Sequence, residues 1–249
     1  MESILFNLSL VILGGYLGSF ASILIYRLPR ENESLNIFYV PSYCPKCKTR
    51  LGFLQLIPYI GYLINAGNCG TCKKKISSLY QIHEIIFASL ILYIVHMLGG
   101  NLLINIYVIT LLLIMYVQSL MDFETLMLSK SLSLLLVLLG LTLNISQEFF
   151  TIPIDALLGF IFGYGILLSI NLLHKMIKGI DGIGSDDFLL LAGIGATFGA
   201  SAIGPILLVG ASITFILYTT KKDKNKDLSL GFGLALSGIL YCLLSISIN

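Results

Sequence analysis

Charged residues are scarce in this chain of 249 residues: Asp, Glu, Lys and Arg make up 11% of it, and hydrophobic residues make up 57%. Soluble domains carry roughly 25% charged residues, so this composition excludes an ordinary soluble protein and predicts an integral membrane protein. The formal net charge is only +2. That balance argues against a nucleic-acid partner, because phosphate binding needs a concentrated basic surface.

The N-terminus lacks a basic region and a small-residue cleavage site, so we expect its apolar segment to be retained as a first helix and not removed as a signal peptide. A transmembrane helix needs roughly 20 apolar residues. Cutting the uncharged runs at Gly, Asn and Pro predicts an all-α, polytopic membrane protein with about eight transmembrane helices. The predicted spans are approximately 3–26, 82–98, 102–121, 128–147, 153–173, 186–202, 204–220 and 229–247. Spans six and seven form one continuous apolar run, in which we place the turn at Gly204-Pro205.

All 15 basic residues fall in segments assigned to one side of the membrane. They are Arg27, Arg30, Lys46, Lys48, Arg50 and Lys73 to Lys75 after the first span, Lys130 after the third, Lys175 and Lys178 after the fifth, and Lys221, Lys222, Lys224 and Lys226 after the seventh. Cytoplasmic loops retain positive charge, so the large loop is predicted to be cytoplasmic and both termini are predicted to lie outside.

Four of the five cysteines form two C-x-x-C pairs within the one long polar segment, Cys44 with Cys47 and Cys69 with Cys72. Each pair lets one tight turn present two sulfurs to the same ion, and the spacing is typical of a four-thiolate zinc site. No His stands beside these cysteines, which favours a structural over a catalytic zinc. A small polar segment also needs a cross-link such as a bound metal ion in order to fold. The alternative is four free or redox-active thiols.

Two acids, Asp122 and Asp187, are predicted to lie at the same membrane boundary, because the third span ends at Asp122 and the sixth starts from the same face. If they approach within hydrogen-bond reach, repulsion leaves one protonated and one ionised, which is the minimal requirement of an aspartic hydrolase. The sequence leaves open which acid takes which part. It also leaves open whether the adjacent Asp186 shares the role, or whether the acids only cap helices.

Further motifs occur along nearly the whole chain. They are Gly18-Ser19-Phe20, Arg27-Leu28-Pro29, Pro41 through Cys47, Leu56-Ile57-Pro58, Cys69 through Cys72, Glu84, Met121-Asp122 and Gly182 through Ala192. In this order and spacing they resemble the type IV prepilin peptidases, which are bacterial leader peptidases and N-methyltransferases. The double C-x-x-C loop is the most specific part of the likeness.

This resemblance implies a GxGD-type intramembrane aspartic protease of the bacterial inner membrane, with Asp122 and Asp187 as its dyad. Such enzymes cut the basic leader of type IV prepilins or pseudopilins after Gly at the cytoplasmic face, and many then methylate the new N-terminus with S-adenosylmethionine. The implied domains are a first helix (1–26), a zinc-binding cytoplasmic loop domain (27–80) and a protease domain of about seven helices in contact with membrane lipid (81–249).

The chain departs from the family pattern around both acids. Asp186 stands in place of a Gly, Leu189 in place of a Lys, and Ser129-Lys130 in place of Pro-Asp or Pro-Asn; a C-terminal Phe-Gly-Pro segment is reduced to Gly231-Phe232-Gly233. The competing hypothesis is a non-enzymatic, zinc-stapled membrane scaffold or chaperone.

Overall fold

The computed structural model describes residues 2–33, 42–44, 46–220 and 229–248, and these residues are mostly helical, with two isolated β-bridges and no extended sheet. The α-helices are α1 (Glu2–Arg27), α2 (Ile60–Ile64), α3 (Leu79–Leu98), α4 (Leu102–Thr125), α5 (Lys130–Gln147), α6 (Pro153–Lys178), α7 (Ser185–Phe198), α8 (Ala200–Thr220) and α9 (Leu230–Ile248). Pro41, Pro45 and the predicted cytoplasmic residues Lys221, Lys222, Lys224 and Lys226 lie outside the described residues.

Seven helices of the described chain, namely α1, α3, α4, α5, α6, α8 and α9, are long and apolar enough to cross a membrane. This confirms the prediction of an all-α, polytopic membrane protein. The exception among the predicted spans is the sixth, because α7 has 14 residues. At 1.5 Å per residue such a helix covers roughly 21 Å, which is short of the roughly 30 Å hydrocarbon core. Nearly all of α7 beyond its first turn is buried, so α7 is enclosed by the neighbouring helices of its unit.

The predicted turn at Gly204-Pro205 is wrong. The chain turns at Gly199, whose φ of 87° lies in the region that glycine adopts without strain, and Pro205 lies inside α8. A proline in a helix removes one backbone hydrogen bond, a loss that neighbouring helices can compensate in membrane proteins. The sixth span therefore ends at Phe198 and the seventh begins at Ala200.

The contacts divide the chain into two compact units, Met1–Gly100 and Asn101–Asn249. In the first unit, α1 packs along α3, with Gly14 against the backbone of Ala88 and Gly18 against that of His83. A side chain at either glycine would collide with backbone atoms. The small residues thus permit the close approach of two apolar helices.

The second unit is built around α7, which packs against α5, α6, α8 and α9. Gly159 of α6 lies directly against Gly195 of α7, backbone to backbone, and Gly140 of α5 lies against Thr197. The glycines of α7 therefore serve close helix packing. This packing fixes the first turn of α7, which carries Asp186 and Asp187.

Candidate active site and metal centre

The four cysteines of the first unit sit on two nearly equivalent turns. Cys44 begins one turn and Cys69 the other, and each carbonyl accepts a hydrogen bond from the amide four residues on, at 2.8 Å from Lys48 and 3.0 Å from Lys73. Both lysines have a φ of 56°, in the left-handed region. Each turn folds back on itself and so points its two sulfurs in one direction.

The predicted cysteine set comes together in a single cluster. All four Sγ atoms lie within 4.8 Å of one another, with Cys44 and Cys72 4.0 Å apart and Cys47 and Cys69 3.8 Å apart. Four thiolates at about 2.3 Å from one zinc ion would stand about 3.8 Å apart, so the cluster could hold a metal ion.

Hydrogen bonds favour the thiolate forms of Cys47 and Cys69, whereas at Cys72 the Lys74 amide, which lowers the pKa, is outweighed by burial and the neighbouring sulfurs, which raise the pKa to about 11. The Thr49 hydroxyl and amide lower the pKa of Cys47 to about 6, and the amides of Cys72 and Thr71 lower the pKa of Cys69. A coordinating cysteine must lose its proton, so these donors prepare the sulfurs for a cation.

In the second unit, Asp122 lies in the last turn of α4 and is buried, with 6% of its surface exposed. Its Oδ2 atom accepts two hydrogen bonds, from the Ser229 hydroxyl at 2.7 Å and from the Phe232 amide at 2.8 Å. Ser229 directly precedes α9 and Phe232 lies in its first turn. The carboxylate therefore occupies the N-terminus of α9, where free amides favour an oxygen acceptor.

Asp187 lies in the first turn of α7, outside the seven spans. Its Oδ1 atom is buried and accepts no hydrogen bond from the described residues, while Oδ2 lies next to Gly184. Burial raises the pKa of Asp187 to about 7, the negative charges of Asp122 and Asp186 act in the same direction, and a hydrogen bond from the Gly184 backbone acts weakly against them. A buried carboxyl oxygen without a partner is costly, which marks this group for a role beyond packing.

The two carboxyl groups meet on either side of Gly231, in the first turn of α9. A Cβ atom on this glycine would lie 3.0 Å from Oδ1 of Asp187 and 3.1 Å from Cγ of Asp122. The two acids can therefore be no farther apart than the sum of these distances. The absence of a side chain at Gly231 leaves the space between them open.

Asp186, the possible competitor, has other partners. Its Oδ1 atom accepts a hydrogen bond from the Ser185 hydroxyl at 3.1 Å. The same atom lies 3.6 Å from the Nζ of Lys130, an exposed residue at the start of α5. This geometry places Asp186 in a surface ion pair. Lys130 and Asp186 are two of the departures from the family pattern noted above, and they pair with each other.

Two buried amide side chains support the acids, and we did not predict either from the sequence. Gln118, one turn before Asp122, donates to the Ser129 carbonyl at 3.0 Å and accepts from the Ser129 amide at 2.9 Å, which ties α4 to the start of α5. Asn171 of α6 accepts from the amides of Gly182 and Ile183 at 2.8 and 3.0 Å. It thereby holds the glycine loop that leads into α7. The presence of an amide side chain in an otherwise apolar helix is the sequence signal that would have identified both Gln118 and Asn171 as candidate functional residues.

Comparison with known proteins gives matches over most of the chain. The bacterial peptidase A24 N-terminal domain matches residues 12–98, and the type IV leader peptidase family matches residues 107–220. No solved structure matches.

Three curated relatives are each named prepilin leader peptidase/N-methyltransferase. The protein from Pectobacterium carotovorum is 31% identical over 93% of this chain and 90% of its own length. The Pseudomonas aeruginosa protein is 30% identical over 94% of this chain and 88% of its own length. The Neisseria gonorrhoeae protein is 29% identical over 91% of this chain and 86% of its own length. These matches confirm the resemblance inferred from the motifs.

Proposed function

This chain belongs to the type IV leader peptidase family, and from that membership we propose that Asp122 and Asp187 form the dyad of a membrane aspartic endopeptidase. Its substrates are type IV prepilins or pseudopilins, whose basic leader it removes after Gly at the cytoplasmic face. The observation that carries the proposal is the meeting of the two acids across Gly231. Helix capping alone, as in the scaffold alternative, does not account for the buried Oδ1 of Asp187, which has no hydrogen-bond partner among the described residues.

The chemistry needs one ionised and one protonated carboxyl group. The ionised group takes a proton from a water molecule, which attacks the scissile carbonyl carbon, while the protonated group donates to the carbonyl oxygen. Asp187, with its pKa of about 7, holds a proton in neutral solution part of the time and in acid nearly always. Two like charges at this separation also disfavour the doubly ionised state.

The cleavage rate should depend on pH through this shared proton. As pH rises through about 7, Asp187 loses the proton that its raised pKa lets it hold. The initial rate should therefore fall on the alkaline side. Asp186→Asn removes a nearby negative charge, lowers the pKa of Asp187 and should move this alkaline limb to lower pH. The measurement is the initial rate on a prepilin-like peptide from roughly pH 5 to pH 9.

Glu124→Gln is the control for that profile, because it removes an exposed acid two residues after Asp122, near the C-terminal end of α4. We expect its alkaline limb to match that of the wild type. An unchanged limb in Asp186→Asn would contradict the link between Asp187 and the rate.

We also propose that Zn²⁺ is bound by Cys44, Cys47, Cys69 and Cys72, supported by the sulfur spacing and by the donors to Cys47 and Cys69. The ion has a structural role, because four thiolates leave no open position for a substrate.

Purified protein should contain about one zinc per chain, measured by elemental analysis, and Cys47→Ser should lose it. Cys242→Ala, which changes the buried cysteine of α9, should keep the metal. Full zinc content in Cys47→Ser would contradict the site.

A cavity of about 440 Å³ in the first unit is our candidate site for S-adenosylmethionine. Its volume lies within the roughly 300–1,000 Å³ of small-molecule pockets. Tyrosine side chains, among them Tyr16, Tyr43 and Tyr62, and the buried carboxylate of Glu84 line it. The Ser19 hydroxyl at 2.5 Å and the Tyr59 amide at 2.7 Å hold this carboxylate in place. Aromatic faces and the Glu84 carboxylate suit a sulfonium cation, and the buried Arg27, which also lines the cavity, suits the carboxylate of the same molecule. The bound group would supply the methyl for the new N-terminus.

Charge provides a direct test of this cavity. Glu84→Gln keeps the shape of the side chain and removes its charge, so it should weaken binding of S-adenosylmethionine about tenfold. Binding of S-adenosylhomocysteine, which is uncharged at sulfur, should change much less. Equilibrium dialysis with both compounds measures the difference, and Glu148→Gln, on an exposed acid of the second unit, is the control. Equal losses for both compounds would contradict a role for the Glu84 charge.

A further inference from the structure

The two acids of the dyad have unequal hydrogen-bond surroundings. Asp122 receives two donors on one oxygen, at 2.7 and 2.8 Å, and both come from the beginning of α9. Asp187 has one oxygen next to the Gly184 backbone, whose hydrogen bond favours the charged form, while its Oδ1 atom is buried without a donor from the described residues and burial dominates. Donors stabilise the charged form of a carboxyl group, whereas burial without donors stabilises the neutral form.

The helix dipoles act in the opposite sense and have to be weighed against these contacts. Asp122 lies near the C-terminus of α4, which disfavours negative charge, and Asp187 lies near the N-terminus of α7, which favours it. Asp122, however, also lies at the N-terminus of α9, so two opposing helix ends act on it. Two direct bonds to a charged oxygen outweigh the remaining dipole effect, since the field of one helix end is generally weaker than one such bond.

We propose that the dyad has a fixed polarity: Asp122 is the ionised base, Asp187 is the protonated acid, and Ser229 is the positioning residue that keeps Asp122 ionised. The assignment rests on the proposed peptidase function. It gives separate parts to two residues that the sequence alone leaves interchangeable.

The reaction then proceeds in one direction through the pair. Asp122 takes a proton from the water, the water oxygen bonds to the carbonyl carbon, and the carbonyl oxygen takes the proton of Asp187. The resulting diol collapses as the carbon–nitrogen bond breaks: the amine nitrogen takes the proton from Asp122, and one diol hydroxyl returns its proton to Asp187. Both carboxyl groups end in their starting states, and the water is consumed.

Charges on the neighbouring elements leave this assignment in place. Asp186 is the other acid on the first turn of α7, 3.6 Å from Lys130 at the start of α5, and its negative charge favours the protonated form of Asp187. Helix α9 has no charged residue from Leu230 to Ile248. On α4 the nearby acid is Glu124, which is exposed.

Infrared spectroscopy tests the polarity without any substrate. A protonated carboxyl group gives a carbonyl stretching band that an ionised one lacks. In difference spectra of the full chain, Asp187→Asn should remove such a band, whereas Asp122→Asn should keep it in mildly acidic solution and lose it at a lower pH than the wild type, because the charge of Asp122 raises the pKa of Asp187. Loss of the band in Asp122→Asn with retention in Asp187→Asn would overturn the proposal.

The pH–rate profile tests the part played by Ser229. Ser229→Ala removes one donor to the charged oxygen, so the acid limb of the profile should move to higher pH by about one unit. Ser229→Thr, which keeps the hydroxyl, should restore the limb. Ser237→Ala is the control, because Ser237 is a buried serine of α9 that donates within its own helix, to Leu234.

The outcomes separate this inference from the proposed function. A rate lowered equally at every pH in Ser229→Ala, with the acid limb unmoved, would overturn the positioning role. Failure of the wild-type protein to cleave any prepilin-like peptide would instead overturn the proposed function. In that case the infrared spectra still decide which carboxyl group carries the proton.

Discussion

Asp122→Asn and Asp187→Asn should each reduce cleavage of a prepilin-like peptide by about 10⁴-fold or more, since each removes a proton acceptor or donor that the reaction needs. The double variant should be no worse than either single one, because the two groups act as a unit. Single-turnover assays on purified protein, with mass spectrometry of the products, measure both the rate and the cut site.

Folding has to be checked in the same preparations. Asparagine keeps the size of aspartate and an oxygen acceptor, so the amide side chain in Asp122→Asn can still accept hydrogen bonds from Ser229 and Phe232. We therefore expect the variants to purify and melt like the wild type, and Glu124→Gln, an exposed acid on α4, to retain full activity. Cleavage near the wild-type rate by either variant in a folded state would exclude that residue from the dyad.

Gly231→Ala should reduce cleavage by about 100-fold or more while the protein remains folded. The added methyl group would lie 3.0 Å from Oδ1 of Asp187 and 3.1 Å from Cγ of Asp122, in the space that the attacking water has to enter. Its nearest neighbour, at 2.9 Å, is the end of the Leu128 side chain, which is flexible enough to move away. The backbone of Gly231 is helical, so alanine adopts it without strain.

Gly165→Ala is the matched control for that change. Gly165 is also helical, but a Cβ atom there would have no neighbour within 4 Å. We expect unchanged activity and equal or higher stability, since alanine favours the helix over glycine. If Gly231→Ala and Gly165→Ala have the same activity, the gap at Gly231 is not where the chemistry takes place.

The sequence was sufficient to predict most of the fold, because length and hydropathy identify a helix that faces lipid. Helix α7 shows the limit of this reasoning. A helix buried among other membrane helices has the same apolar composition as a span, and α7 and α8 form one continuous apolar run. Only the packing of α7 reveals that it ends at Phe198, and the favourable dihedral angle of Gly199 determines the turn.

The site was predictable in part. The cysteine spacing predicts the grouping of four thiols that the structure has, because it depends on local sequence, and the placement of basic residues predicts one membrane boundary for Asp122 and Asp187. Ser229 and Phe232 had no such signal, since their bonds to Asp122 span 107 and 110 residues. Neither a propensity nor a short motif describes a hydrogen bond between distant helices.

The burial of α7 also bears on how the enzyme responds to its lipid environment. Bilayers of different thickness tilt or shift helices whose apolar surface touches acyl chains. Most of α7 touches only neighbouring protein, so thinning or thickening the bilayer has little lipid-facing surface on that helix to act on. The depth of Asp187 is thus set by the packing of glycines such as Gly195 against α6, and it should stay nearly constant across membranes of differing composition.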